Sequence, residues 1–541
     1  MKSDQQKPKT LLAVALSMLF IFVYYTWISP PAPPATPKKN VSEPIVENKI
    51  IQTAPSVVVP ENLPPPKEVG MDDTVSINGT KIEAKVSSKG GALRSWMLGE
   101  YGTEKKQPID LLNQGFAFWL TTGVREHDST QDYDLRKINE KEVEAVFESD
   151  SVKIIKKFVP EANEHVMSME LEITNKGKGD LILDPRVWVL RDQKEAAPSK
   201  KGLLSFLHAP DDFFLPAFYG NGKFHAETAW GKVLEKTTQQ GKIYWTGLAD
   251  RYFLMGLVNR EGGANVSTVY GRENQQVYTN LTYGGISLRP GEVLKRTYTM
   301  YLGPKKREEL KLVGSYLETS VDYGFFSFMA TPLLWLLIVI EKFVRNWGLA
   351  IIILTFIVKL LLHPINKKSM QSMKEMQKLQ PKMKEVREKF KNDKERMNLE
   401  IMGLFKAHKV NPMGGCLPML LQFPVYIALY RVLWNSVELY QAPFFGFYKD
   451  LSVPDPYMIT PILLGIFMAL QQKWSPQAAT MDPAQAKVMM IMPIMFSAFM
   501  IFLPFGLNLY ILVNVVMSVI QQYMIHHDLS FVGLTKKVLK R

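Results

Sequence analysis

Apolar and polar residues are segregated along this chain of 541 residues. Long apolar runs fall at 11–28 and again after residue 330, with a mixed, polar stretch between them. The first run, LLAVALSMLFIFVYYTWI, is 18 residues long and follows Lys2, Lys7 and Lys9. A secretory signal has a similar layout, but its apolar region is usually about 7–15 residues and ends at a small-residue cleavage site. Here SPPAPPATP follows, so an uncleaved anchor is expected over 1–29. Residues 30–70 are rich in proline and lack periodicity, which predicts an extended linker.

Between 71 and 303 the pattern changes to short alternating runs. VSINGTKIEAKV carries Asn78-Gly79 between two such runs, a hairpin signal. VEAVF, VKIIKKF and MSMELEI alternate in the same way. Many short strands without helical stretches predict a β-sandwich. No cluster of acids or histidines stands out in it, so a scaffold or docking role is the plain reading. In 304–346, Leu312, Tyr316, Val321, Phe325 and Phe328 share one side of a helix over 311–328. That suits a helix lying in a membrane interface; a loose surface helix is the alternative. The run 332–340 is too short to span alone and ends at Glu341, Lys342 and Arg345.

Five further spans are predicted near 347–363, 416–434, 458–472, 488–503 and 506–525. The segment 365–412 holds 13 Lys or Arg against 6 Asp or Glu, whereas 435–457 holds one Lys against three acids. The tail 526–541 is again basic. Positive loops stay inside. The expected fold is therefore a polytopic α-helical membrane protein of six spans, a five-helix core plus the anchor, with an external β-sandwich. Both termini and 365–412 are placed inside. The span 488–503 is short, about 24 Å as helix against a core of about 30 Å, which favours local bilayer thinning.

Composition narrows the function only slightly. Mean hydropathy near zero hides the two halves. A net charge of +13 leaves membrane surfaces and nucleic acid both open as partners. The single cysteine, Cys416, rules out an intrachain disulfide and a cysteine-based metal cluster. GxxxxGK[ST], HExxH and GxSxG are absent, so nucleotide-driven and common hydrolase chemistry start weak. No catalytic residue, metal or cofactor is expected.

The candidate chemistry lies in the spans. Lys359 interrupts WGLAIIILTFIVKLLLHP, and an intramembrane cation costs about 2.5–3.5 kcal/mol at a helix centre. Thr355, Lys359 and His363 fall at i, i+4 and i+8 on one face. In the last span Asn514, Ser518 and Gln521 or Gln522 repeat that stripe; Gln422 and Ser497 are polar positions in the third and fifth. Together they suggest a water-accessible groove, whereas a lysine near a helix end can also snorkel to the headgroups. Phe423, Pro424, Met495 and Phe499 would make an apolar flank if the third and fifth spans are neighbours. In 365–412, Met370, Met373, Met376, Leu379, Met383, Val386 and Phe390 recur at helical spacing, and Met397, Ile401, Leu404 and His408 follow Asn392-Asp393. This predicts a helical hairpin with a basic outer face, suited equally to anionic lipid and to RNA-rich or acidic machinery. Of the 27 methionines, 18 lie in 365–541, which fits an adaptable surface or ordinary gap filling.

NWGLAIIILTFIVK, LQPK at 379–382, KVNPMGGCLPMLLQFPV at 409–425, the segment from VELYQAPF to QQKWSP, DPAQAKVMMIMPIMF and LPFGLNLY resemble the YidC membrane protein insertase family. The match runs over 346–525, and the linker, β domain and six-span layout resemble its proteobacterial form. The resemblance implies an inner-membrane insertase and foldase, acting alone or beside the Sec translocon and its accessory subunits. It implies five core spans around a hydrophilic groove, open to cytoplasm and lipid and closed outward. Nascent membrane proteins are the implied substrates; the ribosome, through 365–412 and the tail, and membrane lipids are further implied partners. The groove residues would be Lys359, Thr355, Gln422, Ser497, Asn514 and Ser518. The substrate slide would be Phe423, Pro424, Pro493, Met495 and Phe499. The groove cation of the family is commonly arginine; Lys359 keeps the charge without the five-donor fork. Where relatives often pair two aromatics, this chain has Tyr510 and Ile511. A transporter, a sugar-binding enzyme on the β domain, and a structural Sec accessory are the rival readings.

Overall fold

The computed structural model describes residues 73–102, 107–113, 115–123, 131–193, 213–227, 233, 237–260, 265–273, 276–408, 417–474 and 483–526. The expected anchor over 11–28, the linker 30–70, the connection containing Cys416 and the tail beyond residue 526 lie outside them. Two compact units divide the chain within the described part, one ending at Asp322 and the other beginning at Tyr323.

The first unit is β-rich and antiparallel. Thr74–Asn78 pairs with Ile82–Ser87, so the predicted hairpin is present with a three-residue connection, Gly79–Lys81. Glu164 from another turn braces it, accepting from Thr80 Oγ1 at 2.6 Å and Lys81 N at 2.7 Å. Val152–Pro160 pairs with Val166–Asn175, which pairs with Val293–Pro304. The strand Thr237–Ala249 pairs with Asn265–Glu273 in its first half and with Phe253–Val258 in its second, joining two sheets. The sheets meet face to face through Phe118 and Phe158, with ring centroids 5.8 Å apart. Trp96, Trp119, Trp245 and Tyr298 are fully buried within this unit, and Trp119 packs with Phe116, Trp188, Leu190 and Tyr278 in a core cluster of their own.

On the strand Val152–Pro160 one inward position is charged. Val152, Ile154, Lys156 and Phe158 alternate inward, and Lys156 is wholly buried. Its ammonium donates to the carbonyls of Gly90 at 2.6 Å and Gly91 at 3.2 Å and lies 4.9 Å from the Tyr133 ring. Without a carboxylate to hold the charge, burial pushes its pKa down to about 7. Gly90 takes φ +66°, and a side chain there would run into Trp119.

The expected interfacial helix over 311–328 is not one helix. Helix α1 (Arg307–Val313) stops at Gly314, where φ is +87°, and Ser315 and Tyr316 are also left-handed. Tertiary contacts override the helical spacing. Tyr316 stacks on Tyr219 at 4.7 Å, Trp245 Nε1 donates to the Tyr316 carbonyl at 3.1 Å, and Leu317 is buried. Glu309 of α1 lies 2.5 Å from His165 Nδ1, which fixes the helix to the β unit.

The second unit is helical. Helix α2 (Ser327–Val344) follows a 3₁₀ turn, and Gly324–Val344 is long and apolar enough to cross a membrane by length and composition. The expectation that 332–340 was too short is corrected here: Phe325, Phe326, Phe328 and Met329 extend the apolar run backwards. Helix α3 (Trp347–Lys378) begins at Asn346, whose Oδ1 accepts from Leu349 N at 2.9 Å. It runs through Pro364 without a break, about 48 Å in all, so the first arm of the expected hairpin continues a span. Helices α4 (Gln380–Lys389) and α5 (Lys394–Ala407) complete that hairpin around Met376, Leu379, Met383 and Phe405. His408, expected on this face, is exposed; Phe405 takes its place. Then come α6 (Leu417–Asn435), α7 (Ile459–Trp474), α8 (Pro483–Met500) and α9 (Phe505–His526). Among the described residues, α2, α3 and α9 are long and apolar enough to cross a membrane; Ile459–Gln472 and Met490–Met500 are shorter apolar helices. α9 packs on α7, α3 and α6, α2 packs on α3 and α6, and α8 packs on α7.

Candidate functional site

The helical spacing of the polar residues sets the site. Thr355 and Lys359 stand one turn apart on α3 and are 0% and 4% exposed, so the lysine is turned into the bundle. Opposite them, α9 presents Asn514, Ser518 and Gln521, all buried. Lys359 Nζ donates to Ser518 Oγ at 2.7 Å. Ser518 Oγ donates to the Asn514 carbonyl at 2.9 Å. One turn further along each helix, Gln521 Nε2 lies 3.2 Å from His363 Nδ1. Thr355 spends its hydroxyl on the Ile351 carbonyl at 2.7 Å, within its own helix.

α6 supplies the third wall. Gln422 Nε2 donates to Tyr510 Oη at 3.2 Å, and Tyr426 Oη donates to Asn514 Oδ1 at 2.9 Å. The rings of Tyr426 and Tyr510 meet edge to face at 5.6 Å. Asn514 Nδ2 and Gln521 Oε1 are buried with no hydrogen-bond partner among the described residues. Among the described residues no carboxylate reaches ion-pair distance of Lys359; its one bonded partner is a neutral hydroxyl. The arrangement is thus a polar seam between α3, α6 and α9, with one uncompensated positive charge and spare hydrogen-bonding capacity.

Five of the expected groove residues, Lys359, Thr355, Gln422, Asn514 and Ser518, lie along this seam. Ser497 does not join it: its hydroxyl donates to the Pro461 carbonyl at 2.6 Å, tying α8 to α7 beside Gly465. Tyr426 was missed by sequence reasoning, although it lies one helical turn after Gln422 and on the same face. Of the expected slide residues, Phe423 and Met495 are exposed, Pro424 and Phe499 half-buried and Pro493 buried. Among the described residues, α8 rests mainly on α7, whereas α6 packs on α2, α3 and α9.

The profile of the family described as 60Kd inner membrane protein matches residues 339–531, and that of the YidC periplasmic domain matches residues 74–336. The membrane protein insertase YidC of Geotalea daltonii is 32% identical over 96% of this chain and 99% of its own length. That of Syntrophus aciditrophicus is 34% identical with the same coverage. A solved YidC insertase with its first transmembrane domain resolved aligns over 84% of this chain and 93% of its own, at 17% identity and a TM-score of 0.36. Identity over the whole length, carried through both the β-rich unit and the helical unit, makes this chain a member of the YidC family of membrane protein insertases.

Proposed function

We propose that this chain inserts membrane proteins by admitting a short hydrophilic segment of the substrate into the seam between α3, α6 and α9. The uncompensated charge of Lys359 carries the reading. A carboxylate about 4 Å from a buried ammonium is attracted by roughly 4 kcal/mol at an effective dielectric of about 20. An acidic segment of a substrate would therefore be drawn in, and Asn514, Gln521 and Tyr426 would solvate it part-way across. The substrate's apolar helix moves meanwhile along Phe423, Pro424, Pro493, Met495 and Phe499 into lipid, driven by its own transfer from water. Ser497 serves the wall that carries this strip rather than the polar seam.

The charge pattern supports a cytoplasmic position for the α4–α5 hairpin and both termini, with the β unit outside. Six spans then require α2 to lie in the interface rather than cross. Phe325, Phe328, Trp335 and Phe343 are exposed and supply a lipid-facing surface for it. The hairpin and basic tail meet the ribosome, the emerging chain or anionic lipid, and the chain works alone or beside the Sec translocon. Reconstitution into pure liposomes with one small substrate and no other protein tests the function. Protected, membrane-integrated substrate is expected; none would favour a structural accessory, and solute uptake instead would favour a transporter.

A further inference from the structure

The β-rich unit holds an open cavity of about 660 Å³, within the usual range of small-molecule sites, about 300–1,000 Å³. Its walls are the hairpin turn at Thr80 and Lys81, the turn 161–166, Arg260, and the end of α1 at Leu312 and Val313. His165 belongs to this wall and is only 3% exposed. Gly303 makes room for its ring, since a Cβ there would lie 2.7 Å from His165 Cγ. Glu309 of α1 holds Nδ1, while Nε2 is buried with no hydrogen-bond partner among the described residues. Burial raises the Glu309 pKa, but the bond from His165, with Asn163 and Lys306 behind it, outweighs that and holds the carboxyl below its usual value.

The partners already made decide what can enter. Lys81 pairs with Glu100 at 3.1 Å, and Arg260 Nη2 reaches both oxygens of Glu161 at 3.0 and 2.8 Å. An anion would have to compete with these pairs. The wall carboxylates are engaged as well: Glu161 also accepts from Ser168 Oγ at 2.7 Å, Glu164 from the hairpin turn, and Glu309 from His165. Among the described residues no three His, Cys, Asp or Glu are grouped to hold a metal ion. The backbone is spent too. Glu161 N donates to the Val166 carbonyl at 3.0 Å, Val166 N to Asn163 at 2.8 Å and Leu302 N to His165 at 2.8 Å, so an added peptide strand has little to pair with. The imidazole and the remaining N–H groups of Arg260, a side chain 45% exposed, are left, beside Leu312, which is 88% exposed.

A hydroxyl suits both polar groups. It accepts from a guanidinium, donates to a bare imidazole nitrogen and accepts from a protonated one. We propose that this cavity binds a neutral polyhydroxylated ligand, a short saccharide, through His165 and Arg260, with the C–H face of a sugar ring against Leu312. This would be a binding function of the β-rich unit separate from insertion, and it does not rest on the seam.

The test uses the full chain in lipid nanodiscs prepared without sugar-headed detergent, with maltotriose as the probe. Saturation transfer from protein to maltotriose protons, titrated to a plateau, reads the affinity. Saturable binding is expected, weakened about tenfold by His165→Ala and severalfold by Arg260→Ala, the scale of one hydrogen bond each. Repeating the titration with glucosyl diacylglycerol in the nanodiscs separates two sources of such a ligand. An unchanged maltotriose affinity points to a saccharide in solution; competition by the lipid points to a headgroup. Arg260 is exposed, so Arg260→Ala carries the test if His165→Ala does not elute as a folded protein. Absence of saturable transfer, or affinity within twofold of the unaltered chain in every variant that folds, overturns the proposal.

Discussion

Lys359 Nζ stands 2.7 Å from Ser518 Oγ, so the one cation on the seam face of α3 is held by a neutral hydroxyl of α9. A hydroxyl satisfies a donor but does not neutralise a charge. The pair therefore fixes the ammonium in place while leaving its field available. Ser518→Ala is expected to lower stability by roughly 1.5–3 kcal/mol, the range for a hydrogen bond to a charged group. Insertion should fall less than in Lys359→Ala, because the charge remains. Thermal melts of the purified chain beside insertion yields separate the two effects.

Tyr426→Phe tests whether the third wall matters. It removes the donor to Asn514 Oδ1 and leaves the ring packed against Tyr510. A net loss of about 1 kcal/mol is expected in a melt. Insertion of a substrate with a long polar tail should slow severalfold, while one with a minimal tail should be little changed.

Two glycines should answer oppositely to alanine. At Gly348 a Cβ would lie 2.1 Å from Phe444 Cδ2, so Gly348→Ala should destabilise by about 1–3 kcal/mol through overpacking. At Gly403, inside α5, nothing lies within 4 Å, so Gly403→Ala should stabilise that helix by up to about 1 kcal/mol. Melting for the first and protease resistance of the hairpin for the second provide the check.

Lys156 gives the β unit a pH dependence of known sign. Its folded pKa, about 7, lies below the usual 10.5, so the folded state holds fewer protons than the unfolded state between those values. Stability should therefore rise as pH goes from about 7 towards 10 and be level below 7. Lys305, half-buried and pushed down to about 8 by desolvation, adds a slope of the same sign. Lys156→Met should flatten the rise without removing it. Unfolding followed by tryptophan fluorescence from pH 6 to 9.5 measures this; an unchanged slope would contradict it.

The two stripes of the seam are legible because residues four apart share a helical face, which sets Thr355 beside Lys359 on one helix and Asn514 beside Ser518 on another. Tyr426 obeys the same rule from Gln422 but reads as an aromatic among aromatics. Ser497 was misplaced because a hydroxyl in an apolar helix has two uses, and spacing cannot tell a seam from a helix contact. The alternation of VKIIKKF puts Lys156 in register with Val152, Ile154 and Phe158, yet a lysine is so rarely fully buried that alternation alone does not mark it as inward. The segment 311–328 kept helical spacing, but Gly314-Ser315 and the tyrosines that receive Tyr316 decided its path. The connection over 440–458 leaves no periodic trace in the sequence. Its shape comes from Asp450 and Asp455 bonding to nearby backbone and from left-handed Gln441 and Met458, neither of which alters hydropathy.

The central claim is that the charge of Lys359 draws acidic segments into the seam. The most direct measurement compares two substrates in liposomes holding only this chain, one with an acidic translocated tail and one with that tail made neutral. With Lys359→Ala and Lys359→Glu, insertion of the acidic substrate is expected to fall about tenfold and further, respectively. The neutral one should change little, and Lys359→Arg should retain both. Normal insertion of the acidic substrate by both Lys359→Ala and Lys359→Glu would contradict the account.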